Sequence, residues 1–310
     1  MQSLSLCYNL FMKQLALIGS TASGKSDLAI KIAKEIDAYI LSIDSLSIYK
    51  EIDIVAAKPS KEELREIEHF GIDELCPNEY FSVEIFIRLY CDVVQKCKEN
   101  DKNLIIVGGT SFYLKSLLNG LSPLPKITKL TQERVKEKLQ NLTRSYEVLL
   151  KKDAAYMQKI ASNDRYRIEK ALLILEASGV MPSEWFLKNP AKPIIKDLPI
   201  FNIDVEREVL RERIVKRTQQ MYDMGLIDEV AYLEQKYTRI PNAMRAIGIV
   251  EVLDFLDAKI GKAEMLQLIS THTAQLAKRQ QTFNRSQFQN ITHAKLENLE
   301  DIILRTTLHT

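Results

Sequence analysis

The chain has 310 residues, 46% hydrophobic and 27% charged, enough to bury the core of one large domain or of a domain with a smaller lobe. No apolar run approaches the roughly 18 residues of a membrane span. The opening MQSLSLCYNLF has neither the charged start nor the small-residue cleavage site of a secretory signal, so a soluble cytoplasmic protein is expected, with Met1 and Met12 both offering starts. Cys7, Cys76, Cys91 and Cys97 form no CxxC pair and the four histidines are scattered, which argues against a structural zinc site and for reduced thiols. The net charge of +2 is too small to announce a nucleic-acid binder, but it is uneven. Residues 123–199 carry 15 Lys and Arg against 9 Asp and Glu, a local +6, and the rest of the chain carries −4.

In chain order, QLALIGS (14–20) reads as a strand, SDLAIKIAKEI (26–36) as an amphipathic helix and AYILSID (38–44) as a second strand, a βαβ unit. Ser60 and Glu63 fit a capping box that opens a helix over KEELREIEHF (61–70), and Ser82 is placed to cap a long helix to residue 100. NLIIVGG (103–109) is apolar throughout, as strands buried on both faces of a parallel sheet are, and SFYLKSLLNG returns to helix. Prolines 123, 125, 190, 193 and 199 then bracket a stretch that reads as helix, with Gly179 as a C-cap. PIFNIDV (199–205) returns as a strand, and residues 207 to about 289 are mostly helical. With the glycine loop GSTASGKS (19–26) between the first strand and the first helix, the expected class is α/β: a P-loop NTPase-like parallel sheet flanked by helices, its core formed by 12–122 and 199–310, with an all-helical insertion lobe at 123–198.

GSTASGKS (19–26) matches G-x-x-x-x-G-K-[ST] between a predicted strand and a predicted helix, the context that motif needs. Gly19 and Gly24 let the backbone of Ser20, Thr21, Ala22 and Ser23 turn its N–H groups inward. The helix start adds its positive end, Lys25 a point charge, and the Ser26 hydroxyl a ligand for Mg²⁺. Such a loop recognises a diphosphate with its metal and leaves the rest of the ligand open. Enzymes of nucleoside triphosphates usually add an acid at the end of another strand, and LIIVGGT ends in glycines and Thr110 instead, although Asp44 at the end of the second strand offers one.

GSTASGKS, SIDSLSIYKEIDIVAAKP, IIVGGTSFYLKSLLNGLSPLP, NDRYRIEKALLILEASG and QLAKRQQTFNR, in that order over nearly the whole chain, resemble the tRNA dimethylallyltransferase (tRNA isopentenyltransferase) family in its bacterial form. The resemblance implies an enzyme that transfers a dimethylallyl group from dimethylallyl diphosphate to N6 of the adenosine at position 37, just 3′ of a tRNA anticodon. It implies Asp44 as general base on N6, with Lys25, Thr110, Arg217 and the loop from Gly19 to Ser26 gripping the departing diphosphate. It implies a tRNA surface made of Asp44, Ser45, Leu46 and Ser47, Thr110, Gln132, Tyr166, Arg167, Ile168, Glu169 and Lys170, Arg245, and Lys278, Arg279, Gln280, Phe283 and Arg285. Taken without the family, Asp44 reads equally as a helix cap or Mg²⁺ ligand, Arg217 as a solvated helix arginine, Thr110 as a strand-end hydroxyl and KRQQTFNR as a basic amphipathic helix.

Two departures stand out. Ile249 and Val250 occupy places where the family commonly has an aromatic and a basic residue, and Gln132 aligns with a common basic residue, for which Lys129 or Arg134 can substitute. The partners expected are the anticodon stem-loop and the prenyl donor, with no membrane and a monomeric state. Three other readings stay open: a small-molecule kinase with ATP in the loop, a non-catalytic RNA-binding or nucleotide-switch protein, and a prenyltransferase acting on free AMP or ADP.

Overall fold

In the computed structural model, which describes residues 12–308, six short strands make one sheet. They are β1 (Gln14–Gly19), β2 (Ala38–Ser42), β3 (His69–Phe70), β4 (Asn103–Gly108), β5 (Ile200–Asp204) and β6 (Ile291–Lys295), in the order β3-β2-β4-β1-β5-β6 and parallel throughout. Leu15–Ile18 and Leu104–Ile106 are withdrawn from water, as central strands covered on both faces must be. The readings of Cys7, His309 and the Met1 start lie outside the described residues.

Helix α1 (Lys25–Glu35) places Leu28, Ala29, Ile32 and Ala33 on one face of the sheet, where they meet Leu299 and Ile303 of the last helix. The remaining helices are α2 (Lys61–Glu66), α3 (Val83–Glu99), α4 (Ser111–Asn119), α5 (Lys129–Lys138), α6 (Leu142–Lys152), α7 (Ala154–Met157), α8 (Arg165–Ser178), α9 (Pro182–Lys188), α10 (Arg207–Asp223), α11 (Leu226–Tyr237), α12 (Ile249–Leu256), α13 (Lys262–Gln287) and α14 (Leu296–Leu308). A second core packs α11, α12 and α13 around Ile48, Tyr49, Ile52 and Val55, which fixes the chain just beyond β2 against the helical end of the sequence. Among the described residues no helix is long and apolar enough to cross a membrane, and no group of three or more His, Cys, Asp or Glu is placed to hold a metal ion.

The chain divides into two compact units, one formed by residues up to Lys115 with Asp197 onward, the other by Ser116–Lys196. The second is helical, and Val135, Leu149, Met157, Ile168 and Leu172 pack in its own core. Gly179 ends α8 in the left-handed conformation expected of it.

One expectation needs correction, and one stretch carried no reading. The helix opened by the Ser60–Glu63 capping box is present, with both reciprocal bonds, but it stops at Glu66 rather than running to Phe70. Ile67 is extended, His69 and Phe70 pair with Ile40 and Leu41 of β2, and Phe70 meets Tyr39 edge-on at 5.7 Å; sheet pairing overrides helical periodicity there. Beyond Gln289, β6 and α14 complete the sheet and cover α1, elements for which the polar sequence ITHAK offers little period-two signal.

Candidate functional site

The loop between β1 and α1 forms a cradle. Gly24 sits at φ +90°, a conformation costly for any residue with a Cβ, and a Cβ there would also stand 2.9 Å from Leu296. The turn leaves the Ser20 and Ser23 hydroxyls buried with no hydrogen-bond partner among the described residues, while Lys25 Nζ donates to the Ser20 carbonyl at 2.7 Å. Buried orphan hydroxyls beside a lysine and a helix N-terminus fit an anion that brings its own oxygens.

Elements distant in sequence close on this loop. From α10, Arg213 reaches the Ser23 carbonyl at 3.4 Å and Arg217 the Thr21 hydroxyl at 3.5 Å. From α13, Gln280 Oε1 accepts the Thr21 N–H at 2.8 Å, so the carbonyl of this sequence-predicted RNA residue is engaged with the cradle. Burial pushes the Lys25 ammonium down to about 8, with the Asp44 carboxylate opposing and the Arg217 guanidinium reinforcing that effect. Arg217 is lowered chiefly by its own burial, against the pull of Asp44. Two partly desolvated cations facing one carboxylate leave a net positive site suited to a diphosphate.

Asp44 follows β2 by two residues. Its Oδ1 accepts the Leu46 and Ser47 N–H groups at 2.9 and 3.3 Å, which fixes the carboxylate and leaves Oδ2 without a protein hydrogen bond among the described residues. Gly108 at the end of β4 permits this close approach, since a Cβ there would lie 2.8 Å from Ile43 and 3.2 Å from the Asp44 nitrogen. Thr110 comes next, and its hydroxyl accepts the Ser45 N–H at 3.3 Å.

Two cavities meet at these residues. The smaller, about 90 Å³, is lined by Lys25, Ser26, Ser42, Ser47 and His69 over an apolar floor that includes Ile40 and Val107. The larger, about 450 Å³, is lined by Ser45, Leu46, Thr110, Arg245 and the aromatic rings of Tyr49, Phe81 and Tyr113. Thr21, Asp44, Ala56, Arg217 and Gln280 belong to both. Tyr113 stacks on Phe86 at 4.9 Å and meets Phe81 edge-on, and burial, before the neighbouring Tyr49, Asp44 and Tyr80, raises its phenol pKa. It remains a neutral hydroxyl at physiological pH.

The sequence-predicted residues are therefore distributed. Lys25, Ser26, Asp44, Ser45, Leu46, Ser47, Thr110, Arg217, Arg245 and Gln280 converge on the two cavities. Lys278 and Arg285 line a separate open groove between α10 and α13, with Arg279 and Phe283 on the adjoining surface of α13. In the helical unit, Gln132, Tyr166 and Arg167 are exposed, Lys170 lies over the Tyr166 ring, and Arg167 pairs with the cap residue Asp164. Ile168 is fully buried in that unit's core, so its side chain presents nothing to a ligand. Ile249 is likewise core, while Val250 is exposed.

Sequence reasoning missed the support of the wall shared by the cavities. Glu229 on α11 accepts the N–H groups of Asp53, Ile54 and Val55 at 2.9, 2.7 and 2.9 Å, and Val55 and Ala56 line the larger cavity. Lys58, its side chain 4% exposed, ties the same loop to the Tyr49 carbonyl, Asp53 and Asp73. The AAKP stretch marked Lys58 as part of a motif, but no local pattern distinguishes Glu229 from the other acids of its helix.

Comparison with known proteins gives the family. The IPP transferase family model matches residues 47–287. The tRNA dimethylallyltransferase of Sulfurimonas denitrificans is 66% identical over 295 residues, covering 95% of this chain and 99% of the relative, and that of Sulfurovum sp. is 56% identical over 95% and 98%. Among solved structures, the tRNA isopentenylpyrophosphate transferase of Bacillus halodurans superposes with a TM-score of 0.70 at 26% identity over 96% of both chains. A eukaryotic dimethylallyltransferase solved acting on tRNA gives 0.82 at 23% identity, over 96% of this chain and 77% of that one, a likeness of fold. The chain belongs to the tRNA dimethylallyltransferase, or IPP transferase, family.

Proposed function

We propose that the protein transfers the dimethylallyl group of dimethylallyl diphosphate to N6 of the adenosine at tRNA position 37, releasing diphosphate. The observation that carries this reading is the pair of cavities joined at Thr21, Asp44 and Arg217. The smaller is lined by Thr21, Lys25 and Ser26 of the phosphate cradle and would take the leaving group. The larger, with its aromatic rings and Arg245, suits an unstacked base, since base faces are held by aromatic planes. The reacting carbon would lie at the junction.

Adenine N6 is a weak nucleophile because its lone pair is delocalised into the ring. As that lone pair forms the bond to the allylic carbon, the carbon–oxygen bond to the diphosphate breaks and its electron pair stays with the diphosphate. The N6 proton passes to Asp44 Oδ2, the oxygen left open by the hydrogen bonds at Oδ1. Lys25, Arg217, Thr110 and the cradle N–H groups face the charge that develops on the leaving group. The donor set also fits Mg²⁺: the exposed Ser26 hydroxyl opens α1 beside the cradle, and an ion that keeps several waters and takes the rest of its shell from phosphates needs few protein ligands. When bound, the ion would neutralise diphosphate charge. We assign Gln132, Tyr166, Arg167, Glu169 and Lys170, with Lys278, Arg279, Phe283 and Arg285, to the tRNA surface, and infer a cytoplasmic monomer.

Incubation with labelled dimethylallyl diphosphate and an anticodon stem-loop containing consecutive adenosines, followed by nucleoside analysis, should yield N6-dimethylallyladenosine. Consumption of ATP with an acceptor while the prenyl donor stays intact would overturn the reading. Equal turnover of free AMP would confine the acceptor to a mononucleotide.

A further inference from the structure

A cavity more voluminous than either of the two joined ones lies beside them. It is the open groove between α10 and α13, about 1070 Å³, and it follows α10 from Arg207 to Gln219, roughly 20 Å of helix. Ile214 and Thr218 line both this groove and the larger cavity, so a single turn of α10 separates them. The two helices are antiparallel, with Ser270 bonded to Thr218 at one end and Ala277 packed with Leu210 and Ile214 towards the other.

The charges gather at one end. Arg207 and Arg211 at the start of α10 face Lys278 and Arg285 at the end of α13, Arg279 adjoins them, and Glu206 is the one acid among the lining residues. All five cations are exposed, and none has an ion-pair partner among the described residues, whereas Lys58, Lys236, Arg239 and Lys259 of the same unit are paired. Outside residues 123–199 the chain is net negative, so this cluster is a cationic island on an otherwise acidic body.

We propose that this groove docks the phosphate backbone of the base-paired stem that flanks the target loop, through Arg207 and Arg211 acting with Lys278 and Arg285. The proposal rests on the RNA substrate inferred above and adds to it a second point of grip on the far side of the α10 wall. Two features select the occupant. Exposed cations suit a phosphodiester chain that keeps its hydration, whereas a small anion is held by buried donors such as those of the cradle. No aromatic side chain lines the groove, so unstacked bases find no platform there, and contact limited to backbone and shape is how paired RNA is bound.

The experiment measures anisotropy of a fluorescent anticodon stem-loop between about 50 and 200 mM salt for the wild type and an Arg207→Ala/Arg211→Ala variant, beside a loop-only oligonucleotide. Losing two phosphate contacts should make the slope of log K against log salt shallower by about 1.4–1.8, weaken the stem-loop, and leave the loop-only oligonucleotide unaffected. Unchanged slopes overturn the proposal, as does equal weakening of both RNAs or an effect confined to the KM of the prenyl donor. Thermal melting certifies the fold, and Arg207→Gln/Arg211→Gln replaces the alanine pair if that pair does not fold. A wild type that neither binds the stem-loop nor prenylates it refutes the proposed function itself. A wild type that does both, with a variant of identical slope, refutes only the groove.

Discussion

The phosphate cradle and the α10–α13 groove both offer cations to phosphates, yet they are built in opposite ways. In the cradle, Lys25 and Arg217 are partly desolvated, each is tied to the loop by a hydrogen bond, and each feels Asp44. In the groove, Arg207, Arg211, Lys278 and Arg285 stand in water with no ion-pair partner among the described residues. A charge in low dielectric acts strongly on one neighbour and is little affected by salt, whereas exposed charges act weakly, additively and under screening. The buried site should therefore depend on single residues and the exposed one on their sum.

The sharpest break comes at the junction of the cavities. Asp44→Ala should lower the single-turnover rate by about 10²–10⁴ with little change in stem-loop affinity, and an unaltered rate would remove the proton acceptor from the scheme. Lys25→Ala should cost about 10²–10³ in kcat/KM at every salt concentration, since it removes one prearranged donor from a dry site. The lysine also sets a pH dependence. With its free-enzyme pKa near 8, the ammonium is present below that pH and lost above it. A bound diphosphate favours the charged form, so binding takes up a proton above pH 8, and donor affinity should fall by up to about tenfold per unit there. The decline should vanish in Lys25→Ala, as titration calorimetry across pH 7–10 would show.

A smaller effect is expected where the cavity wall is held from behind. Glu229→Ala frees three N–H groups of the loop at Asp53–Val55, and a wall displaced by about 1 Å should cost roughly 10–10² in kcat/KM, with partial recovery in Glu229→Gln. Recovery should appear in kcat rather than in RNA affinity; parallel loss of melting temperature and activity would reduce Glu229 to a fold contact. Least affected is the exposed face: Arg285→Ala should make the salt slope of stem-loop binding shallower by about 0.7–0.9 while single-turnover chemistry at saturating RNA persists.

The same contrast explains what could be read from the chain directly. The cradle was legible because a phosphate loop is local: eight consecutive residues between a strand and a helix contain its glycines, lysine and serine. Asp44 was legible as a strand-end acid, though its place at the junction depends on Gly108 allowing β4 to approach. Arg217 and Thr110 looked ordinary by themselves and were marked only through family resemblance. Glu229 left no trace, because its three partners lie 174 to 176 residues away and a helix face does not announce what it meets. At 67–70, helical period and sheet pairing competed, and the neighbouring strand decided.

Leu296 lies where a side chain on Gly24 would have to go, and Leu299 and Ile303 cover the apolar face of α1. The cradle at residues 19–26 is thus braced by residues about 270 positions further along the chain. During synthesis all six sheet strands, β1 to β6, emerge before α14, and the helix that orients Lys25 keeps an uncovered face until α14 appears. A growing chain would carry its recognisable nucleotide motif long before that motif could grip a diphosphate, so donor binding reports that α14 has been made and has docked.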